Sequence, residues 1–347
     1  MRIRSGRATM TGTTLVALLV AGCSSSGSAA PAPSTPPTAA RPADLGAAHV
    51  LYVGYDQRNA GSTGYVRLYS ATVAGGDARP VLPDRVTSTT VLASRDGSVI
   101  VFDTLMPPSP GSGATRPVPV WWWSGPSGTH RLAGVPEQAH AAALAPDGAS
   151  LVVVTGGVED LSWSVQRVTL ATDAATTVCT ACLPVVGGTR SVADLAVDGD
   201  GSLLATMSSF QGGFYGIQHQ ATLRLLDPRT GAVRWSTTTL AGGLIDLADD
   251  GTFVWSGVAG RKGWMLHEVT GTKDRTTGVE AVFAGRFGSG WWIATRPSDD
   301  PTGALTFSEE RALAPEAQRT VATWPSGVQV DSLVLSEVTQ VDLPAGA

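Results

Sequence analysis

Short apolar segments recur along most of the chain and are separated by turn-forming residues. The most regular separator is an Asp-Gly pair, and it is preceded and followed by an apolar segment each time. The spacings between successive glycines of these pairs are 51, 53 and 50 residues, for Gly97, Gly148, Gly201 and Gly251. This pattern predicts β-hairpins that repeat about every fifty residues.

One of these hairpins illustrates the turn chemistry. An apolar segment at residues 142–144 leads through Pro146, Asp147 and Gly148 into a second one at residues 151–154. Proline sets φ early in a turn, and glycine accepts the left-handed conformation near its end. A period of forty to fifty residues that holds four strands is typical of a propeller blade.

Counting these periods predicts the fold class: an all-β protein with a single six-bladed β-propeller. Residues 49–83 provide only three strands, whereas residues 328–335 form a lone alternating strand. We therefore expect the C-terminal strand to close the ring as the innermost strand of the first blade, which removes an open sheet edge. The five complete blades are expected at residues 88–134, 139–186, 190–240, 243–279 and 281–325.

The amino-terminal segment has the features of an export signal. Arg2, Arg4 and Arg7 precede an apolar run that is too short to span a bilayer. The sequence Val20-Ala21-Gly22-Cys23 that ends this run resembles the lipobox of bacterial lipoproteins. The resemblance implies a signal peptide at residues 1–22 and lipidation of Cys23, and an ordinary secretory signal is the alternative.

The residues after Cys23 are mostly Ser, Ala, Pro and Thr up to about position 48. Such a segment buries too little apolar surface to offset its ordering entropy, so we expect residues 23–48 to be a disordered linker and residues 49–347 to be the propeller. Together with the lipid anchor, this predicts a protein on the extracytoplasmic face of the cell membrane.

The charge balance excludes one class of partner. The formal net charge is −5, and removal of the three signal-peptide arginines makes it −8. The remaining basic residues are scattered, so the sequence has no basic stripe for nucleic acid. We expect a monomer that contacts the membrane through its lipid anchor only.

Lipidation of Cys23 leaves two cysteines, Cys179 and Cys182, for which we predict a disulfide. Residues three apart in an extended strand are too distant for such a bridge, so Thr180 and Ala181 must form a turn. A redox motif and a zinc site are alternatives, but the strand-to-helix context of the first and the further ligands of the second are missing.

The segment from Ala145 to Val153, and next the segment from Ser94 to Phe102, resemble the turn and strand that blades of TolB-type and related exported propellers carry. The resemblance implies a six-bladed architecture. We find no counterpart of the additional amino-terminal domain of TolB and transfer none of its partners. Residues 226–235 separately resemble one repeat of quinone-type propellers.

The loops between the second and third strands of the blades are predicted on the ring face opposite the Asp-Gly turns. Since loops on a rigid scaffold often carry function, we predict a binding surface there, and merely tolerated insertions are the alternative. One glycine-containing loop of this face carries four ring side chains: Phe210, Phe214, Tyr215 and His219. In this hypothesis they form a stacking platform for a sugar or a partner side chain, and the alternative is that they plug the channel or cover blade edges. The charged candidates on the same face are Arg58, Arg261, Lys262 and Arg296.

We find no convincing catalytic constellation and predict no metal or other cofactor. Asp194, Asp198 and Asp200 with Ser202 suggest calcium, but the closing glutamate of a calcium loop is missing. The first hypothesis is therefore a non-enzymatic, lipid-anchored propeller that binds a protein or a cell-envelope glycan. The alternative is a propeller enzyme, such as a quinone-dependent dehydrogenase or a hydrolase of envelope sugars.

Overall fold

A computed structural model describes thirteen ranges of the chain, and these all belong to one compact unit. The ranges are residues 44–56, 66–75, 78–83, 86–106, 118–137, 139–155, 163–180, 182–183, 191–212, 218–240, 242–259, 264–297 and 302–344. Residues 1–43 are not among them. The predicted signal peptide, Cys23 and most of the linker therefore lie outside the described residues.

The described residues form 24 strands in six four-stranded antiparallel sheets, which confirms the predicted six-bladed propeller. Short 3-10 helices lie at Leu45–Ala47 and Pro315–Ala317. Blade 1 contains β24 (Val328–Leu335), β1 (His49–Asp56), β2 (Arg67–Thr72) and β3 (Arg79–Pro80). Blade 2 contains β4 (Val91–Ala93), β5 (Ile100–Met106), β6 (Val118–Gly125) and β7 (Gly128–Arg131). Blade 3 contains β8 (Ala139–Leu144), β9 (Ser150–Thr155), β10 (Ser164–Thr169) and β11 (Ala174–Thr180).

The remaining three blades follow in chain order. Blade 4 contains β12 (Ser191–Val197), β13 (Leu204–Gly212), β14 (Gln218–Leu226) and β15 (Val233–Leu240). Blade 5 contains β16 (Gly243–Leu247), β17 (Phe253–Ala259), β18 (Trp264–Thr270) and β19 (Lys273–Ala281). Blade 6 contains β20 (Phe283–Phe287), β21 (Gly290–Thr295), β22 (Leu305–Glu310) and β23 (Arg319–Trp324). The first strand of each blade is innermost in the ring.

The C-terminal strand closes the ring as predicted. β24 pairs with β1 in an antiparallel ladder from Val50 opposite Leu335 to Asp56 opposite Val328. The residue after β24, Ser336, donates its N–H to the carbonyl of His49, and Glu337 donates to the carbonyl of Gly97 in blade 2. The tail therefore joins the first two blades as well as completing the first.

The four Asp-Gly turns share one geometry. Each glycine has a positive φ, between 69° and 84°, which a side chain would disfavour. Each aspartate accepts the backbone N–H two residues later at 2.7–3.0 Å, so the turn satisfies its own polar groups. The aspartates are Asp96, Asp147, Asp200 and Asp250. We call the ring face that carries these turns the turn face.

Apolar clusters between neighbouring blades form the core, and the described residues contain six of them, one at each junction. At the junction that closes the ring, the Trp324 ring lies 5.4 Å from Tyr52 and 5.0 Å from Phe307, centroid to centroid. Trp122 and Trp121 belong to clusters on opposite sides of blade 2. Neighbouring strand residues point to opposite faces, and most of the described tryptophans lie in these clusters between blades.

Cys179 and Cys182 form the predicted disulfide, with 6.0 Å between their Cα atoms. The pairing of β10 with β11 has an irregularity where Val165 lies opposite Cys179 and Gln166 opposite Thr177. Both cysteines pack against the cluster between blades 3 and 4. The bridge is thus a local clip at the outer edge of blade 3.

Deletion of residues 326–347 should abolish folding. The deletion removes the inner strand of blade 1 and five buried aliphatic side chains, Val328, Val330, Leu333, Leu335 and Val341. At about 1.5–3 kcal/mol each, their burial contributes about as much as the whole stability of a typical domain. Circular dichroism melting would measure the effect, with deletion of residues 345–347 as the control. A cooperative transition like that of the intact protein in the longer deletion would contradict the closure.

Candidate functional site

The candidate site is the central channel, a space of about 1000 Å³ that the innermost strands of the six blades surround. Its wall includes small residues on every side, among them Ala93, Ala142, Ala196, Gly243 and Gly285. Larger side chains at these positions would fill the lumen. Gly285 is also required for packing, because a Cβ there would lie 2.6 Å from Nε1 of Trp292. The channel is large enough for a small ligand.

The antiparallel topology gives the channel two chemically different ends. We call the ring face opposite the turn face the loop face. The innermost strand of each blade begins at the loop face and runs toward the turn face, and the second strand returns to the loop face. Residues at the starts of the innermost strands therefore lie at what we call the loop end of the channel. Those at their last positions, and in the turns that follow, lie at the turn end.

Two arginines meet one carboxylate at the turn end. Arg95 Nη2 lies 3.1 Å from Asp246 Oδ1, and Arg286 Nε donates to Asp246 Oδ2 at 2.9 Å. Arg95 belongs to blade 2 and Asp246 to blade 5, on the opposite side of a six-membered ring. The Arg95 side chain therefore crosses the channel axis. The Arg286 guanidinium also lies 3.8 Å from the centre of the Trp291 ring, a cation–π contact that fixes its position.

A half-buried carboxylate, Asp194 on β12, lies toward the loop end. Its Oδ2 accepts the N–H of Leu244 in blade 5 at 2.7 Å, and its Oδ1 accepts the N–H of Leu195 at 2.8 Å. Burial in the channel wall raises the pKa of Asp194 to about 6, although both hydrogen bonds lower it. The side chain therefore links two blades and changes its charge in mildly acidic solution.

Aromatic and acidic side chains accompany Asp194 on the channel wall. Trp264 and Phe283, at the starts of β18 and β20, are half-buried, and Asp331 on β24 is exposed. Asp331 accepts a hydrogen bond from Nε2 of Gln329 at 3.2 Å. These groups can stack on a flat or hydrocarbon surface and accept hydrogen bonds from a ligand.

Of the predicted binding residues, the structure describes the side chain of Arg296. It is 7% exposed, and its Nη2 donates to the carbonyl of Val330 at 3.3 Å, next to the ring closure. Arg296 thus connects blade 6 to the C-terminal strand, and its role in binding stays a prediction. Arg58, Phe214, Tyr215, Arg261 and Lys262 lie outside the described residues.

The predicted loop from Phe210 to His219 is shorter than expected, and this is a correction. β13 continues to Gly212 and β14 begins at Gln218, so that Phe210 lies opposite Gln220 and His219 opposite Gln211. The longer ladder between β13 and β14 forms backbone hydrogen bonds within the sheet, whereas in a loop the same N–H and carbonyl groups would bond to water. The side chains of Phe210 and His219 lie outside the description.

The acidic residues considered for calcium do not converge. Asp198 accepts Ser202 Oγ at 2.8 Å and the N–H of Leu203 at 3.1 Å, while Asp200 accepts the N–H of Ser202. Asp194 is engaged with blade 5 instead. Within the described ranges, no three His, Cys, Asp or Glu side chains form a group that could hold a metal ion. Nor does that part of the chain contain a helix with the length and apolar character needed to span a membrane.

Sequence reasoning missed Arg95, Asp246 and Arg286. One signal was present: the position before Asp-Gly holds Pro146, Gly199 and Asp249 in three turns but Arg95 in the fourth. A long cation at one of four equivalent turn positions indicates a specific contact. Its partner could not be found in this way, because Asp246 is 151 positions away in the chain.

A second buried carboxyl lies outside the channel. Glu310, at the end of β22, is 2% exposed, and burial raises its pKa to about 7. Glu316 nearby acts in the same direction by repulsion. Because Glu310 packs beside the turn after β22 and does not line the channel, we assign it to the structure of blade 6.

Comparison with solved structures shows the fold. TolB from Acinetobacter baumannii matches with a TM-score of 0.52 at 14% identity, over 83% of this chain and 66% of TolB. An acylaminoacyl peptidase from Pyrococcus horikoshii matches with a TM-score of 0.48 at 10% identity, over 68% of this chain and 39% of the peptidase. An oligogalacturonate lyase in complex with manganese matches with a TM-score of 0.43 at 16% identity, over 80% of this chain and 73% of the lyase.

The chain therefore spans less than two thirds of the length of the peptidase and of TolB. No family model matches it, and no curated protein does. At 14% identity, the match to TolB shows the propeller fold alone, and a fold by itself does not decide between catalysis and binding.

Asp194→Asn should make stability less dependent on pH. An unfolded aspartate loses its proton near pH 4, but folded Asp194 keeps it until about pH 6. The free energy of unfolding of the wild type therefore falls as pH rises through this window, whereas asparagine has no proton to lose. Relative to wild type, the variant should gain about 1–2 kcal/mol between pH 4 and pH 7, after allowance for solvent screening.

Urea unfolding at pH 4, 5, 6 and 7 would measure this gain. Asp331→Asn, which places the same substitution on an exposed carboxylate of the same channel, is the matched control. The asparagine at position 194 also has one hydrogen-bond acceptor fewer than aspartate. This loss changes the free energy of unfolding by the same amount at every pH. A difference between Asp194→Asn and wild type that stays constant from pH 4 to pH 7 would refute the assignment.

Proposed function

We propose that this protein is a lipid-anchored propeller on the extracytoplasmic face of the cell membrane that binds a protein or glycan of the cell envelope through its loop face. It acts as an interaction scaffold and not as an enzyme. The observation that carries the proposal is the asymmetry between the two ends of the channel.

The turn face uses its polar groups internally. Each turn aspartate caps its own turn, and neighbouring turns are bonded to one another. Arg95 donates its N–H to the carbonyl of Pro146 at 2.9 Å, and the N–H of Gly199 bonds Asp249 Oδ1 at 2.9 Å. A surface whose polar groups are already paired gains little from a polar partner.

The loop end of the channel presents a different surface. Trp264 and Phe283 are half-buried, and Asp331 is exposed, so apolar area and hydrogen-bond acceptors are both accessible there. Aromatic side chains beside acidic ones suit the edge of a sugar ring or a basic side chain of a protein. The long loops of the blades would add to this surface on the same face.

The binding face can be tested by crosslinking in living cells. Replacement of Phe283 by p-benzoylphenylalanine keeps an aromatic ring at the loop end of the channel. The control is the same replacement of Val233, which is 50% exposed on β15 of blade 4. We expect a discrete light-dependent adduct from position 283 and none from position 233. Sensitivity of the adduct to protease or to a muramidase would distinguish a protein from a glycan. Equal adducts at both positions, or none at 283, would reject the loop-face proposal.

The anchor can be tested by fractionation. Cys23→Ser removes the thiol that receives the lipid, and because a stably held lipoprotein needs its acyl chains, the variant should leave the membrane fraction. Cys179→Ser with Cys182→Ser is the matched control, since it removes the other two cysteines, which form the disulfide, and should leave the protein in the membrane. Intact-mass measurement of the wild type should give a chain that begins at Cys23 with diacylglycerol attached. A wild-type protein without this mass would exclude lipidation.

A further inference from the structure

The channel wall exposes aliphatic side chains to the lumen. They are half-buried and belong to five of the six blades: Leu92, Leu144, Leu244, Ile245, Val282 and Val334. Other wall residues, such as Val91 and Leu333, are covered almost completely by neighbouring blades. Accessible apolar area around a concave space of about 1000 Å³ is typical of a ligand site.

Three side chains obstruct the turn end of this channel. Arg95 of blade 2 crosses the channel axis to reach Asp246 of blade 5, and Arg286 of blade 6 bonds the same carboxylate. We call these three side chains the floor. Ile245 directly precedes Asp246, so aliphatic side chains lie next to the floor. A ligand would therefore enter from the loop end and bring its apolar part toward the floor.

Asp194 lies above the floor in the direction of the loop end. Its Oδ2 accepts the N–H of Leu244, which lies two residues before Asp246 on β16. At about 3.3 Å per residue, Asp194 is therefore about 7 Å from the floor along the channel. Each of its oxygens accepts one backbone N–H, and neither is in an ion pair with a cation of the described residues. Since a carboxylate oxygen accepts two hydrogen bonds, both oxygens retain capacity for a donor of a ligand.

The loop end adds groups that favour a positive charge. Asp331 on β24 is exposed, and it accepts a hydrogen bond from the neutral amide of Gln329. Trp264 and Phe283 are half-buried aromatic residues there, and the faces of aromatic rings attract cations. Among the described wall residues of this half of the channel, those that carry a full charge are Asp194 and Asp331. The entrance therefore attracts a cation.

We propose that the channel binds a small organic cation, which enters from the loop end, places a hydrocarbon body among the aliphatic side chains above the floor and bonds its ammonium group to Asp194. A buried ammonium group needs such an anionic partner, because burial of an unpaired charge is costly. The distance of about 7 Å between Asp194 and the floor accommodates a short alkyl chain. This small-molecule site goes beyond the binding of an envelope partner at the loop face.

Calorimetric titration of the full mature protein in a nonionic detergent tests this site with butylammonium, pentylammonium and hexylammonium chloride at pH 8, where Asp194 is ionised. The heat of uptake of each probe into protein-free detergent is subtracted. We expect saturable binding that tightens about three- to fourfold per added methylene, because each methylene buries more apolar area. Hexanol and hexanoate, which have the same chain without the positive charge, should bind about tenfold or more weakly.

Two variants test the two parts of the site. Asp194→Asn keeps the shape of the side chain and removes its charge, so hexylammonium should bind about tenfold or more weakly. Ala142→Phe places a large ring in the channel wall and should abolish binding by filling the lumen. Asp342→Asn and Ala149→Phe are the matched controls, because they make the same substitutions at exposed positions outside the channel wall, and both should bind like wild type.

Non-saturable heats for all three ammonium probes, hexanoate binding as tight as that of hexylammonium, unchanged affinity in Asp194→Asn or Ala142→Phe, or an equal loss in the controls would each overturn the proposal. Melting curves of every variant would show whether a loss of binding reflects unfolding. The preference of the wild type for hexylammonium over hexanoate needs no variant and is decisive even if one unfolds. Because the titration uses purified protein without an envelope partner, its result is independent of the crosslinking from Phe283.

Discussion

The pairing of β24 with β1 is the interaction on which the rest of the structure depends. It brings the last strand of the chain to the first and completes blade 1, and the resulting ring has no open edge between its first and last blades. Trp324 reinforces this junction, because its Nε1 donates to the carbonyl of Val73 while its ring packs on Tyr52. The closed ring holds the six innermost strands around a common axis, and the channel is the space that they surround.

Ring closure also decides which residues can meet inside the channel. Small side chains such as Ala142 and Gly285 keep the innermost strands from filling the lumen, so a long side chain can reach from one blade to the blade opposite. Arg95 of blade 2 reaches blade 5 in this way and forms an ion pair with Asp246. Asp194 makes the shorter connection, between adjacent blades, through a backbone N–H. Both carboxylates therefore connect blades across the channel wall, Asp194 through the backbone of blade 5 and Asp246 through arginines of blades 2 and 6.

The fold could be predicted from the sequence because its determinants are local. A turn such as Pro146-Asp147-Gly148 depends on residues next to one another in the chain, and its repetition fixes the number of blades. The channel chemistry could not be predicted, because it depends on which positions of different blades face one another. Arg286 and Asp246 are 40 positions apart and Arg95 and Asp246 are 151 apart. The ends of strands were also difficult to predict from the sequence. β13 extends to Gly212, for example, because its pairing with β14 continues through residues that have the composition of a loop.

The antiparallel topology of the blades also makes the two faces of the ring chemically different. An antiparallel blade places its short turns together, and the turn at Asp96-Gly97 pairs its polar groups both within itself and with the C-terminal tail, since the carbonyl of Gly97 accepts the N–H of Glu337. The described turns of this face therefore serve the structure, and the Arg95 side chain extends this role by reaching Asp246 in blade 5. The connections between the second and third strands, which lie at the loop face, differ in length from blade to blade. A partner at the loop face, as proposed above, would therefore leave intact the turn groups that join neighbouring blades.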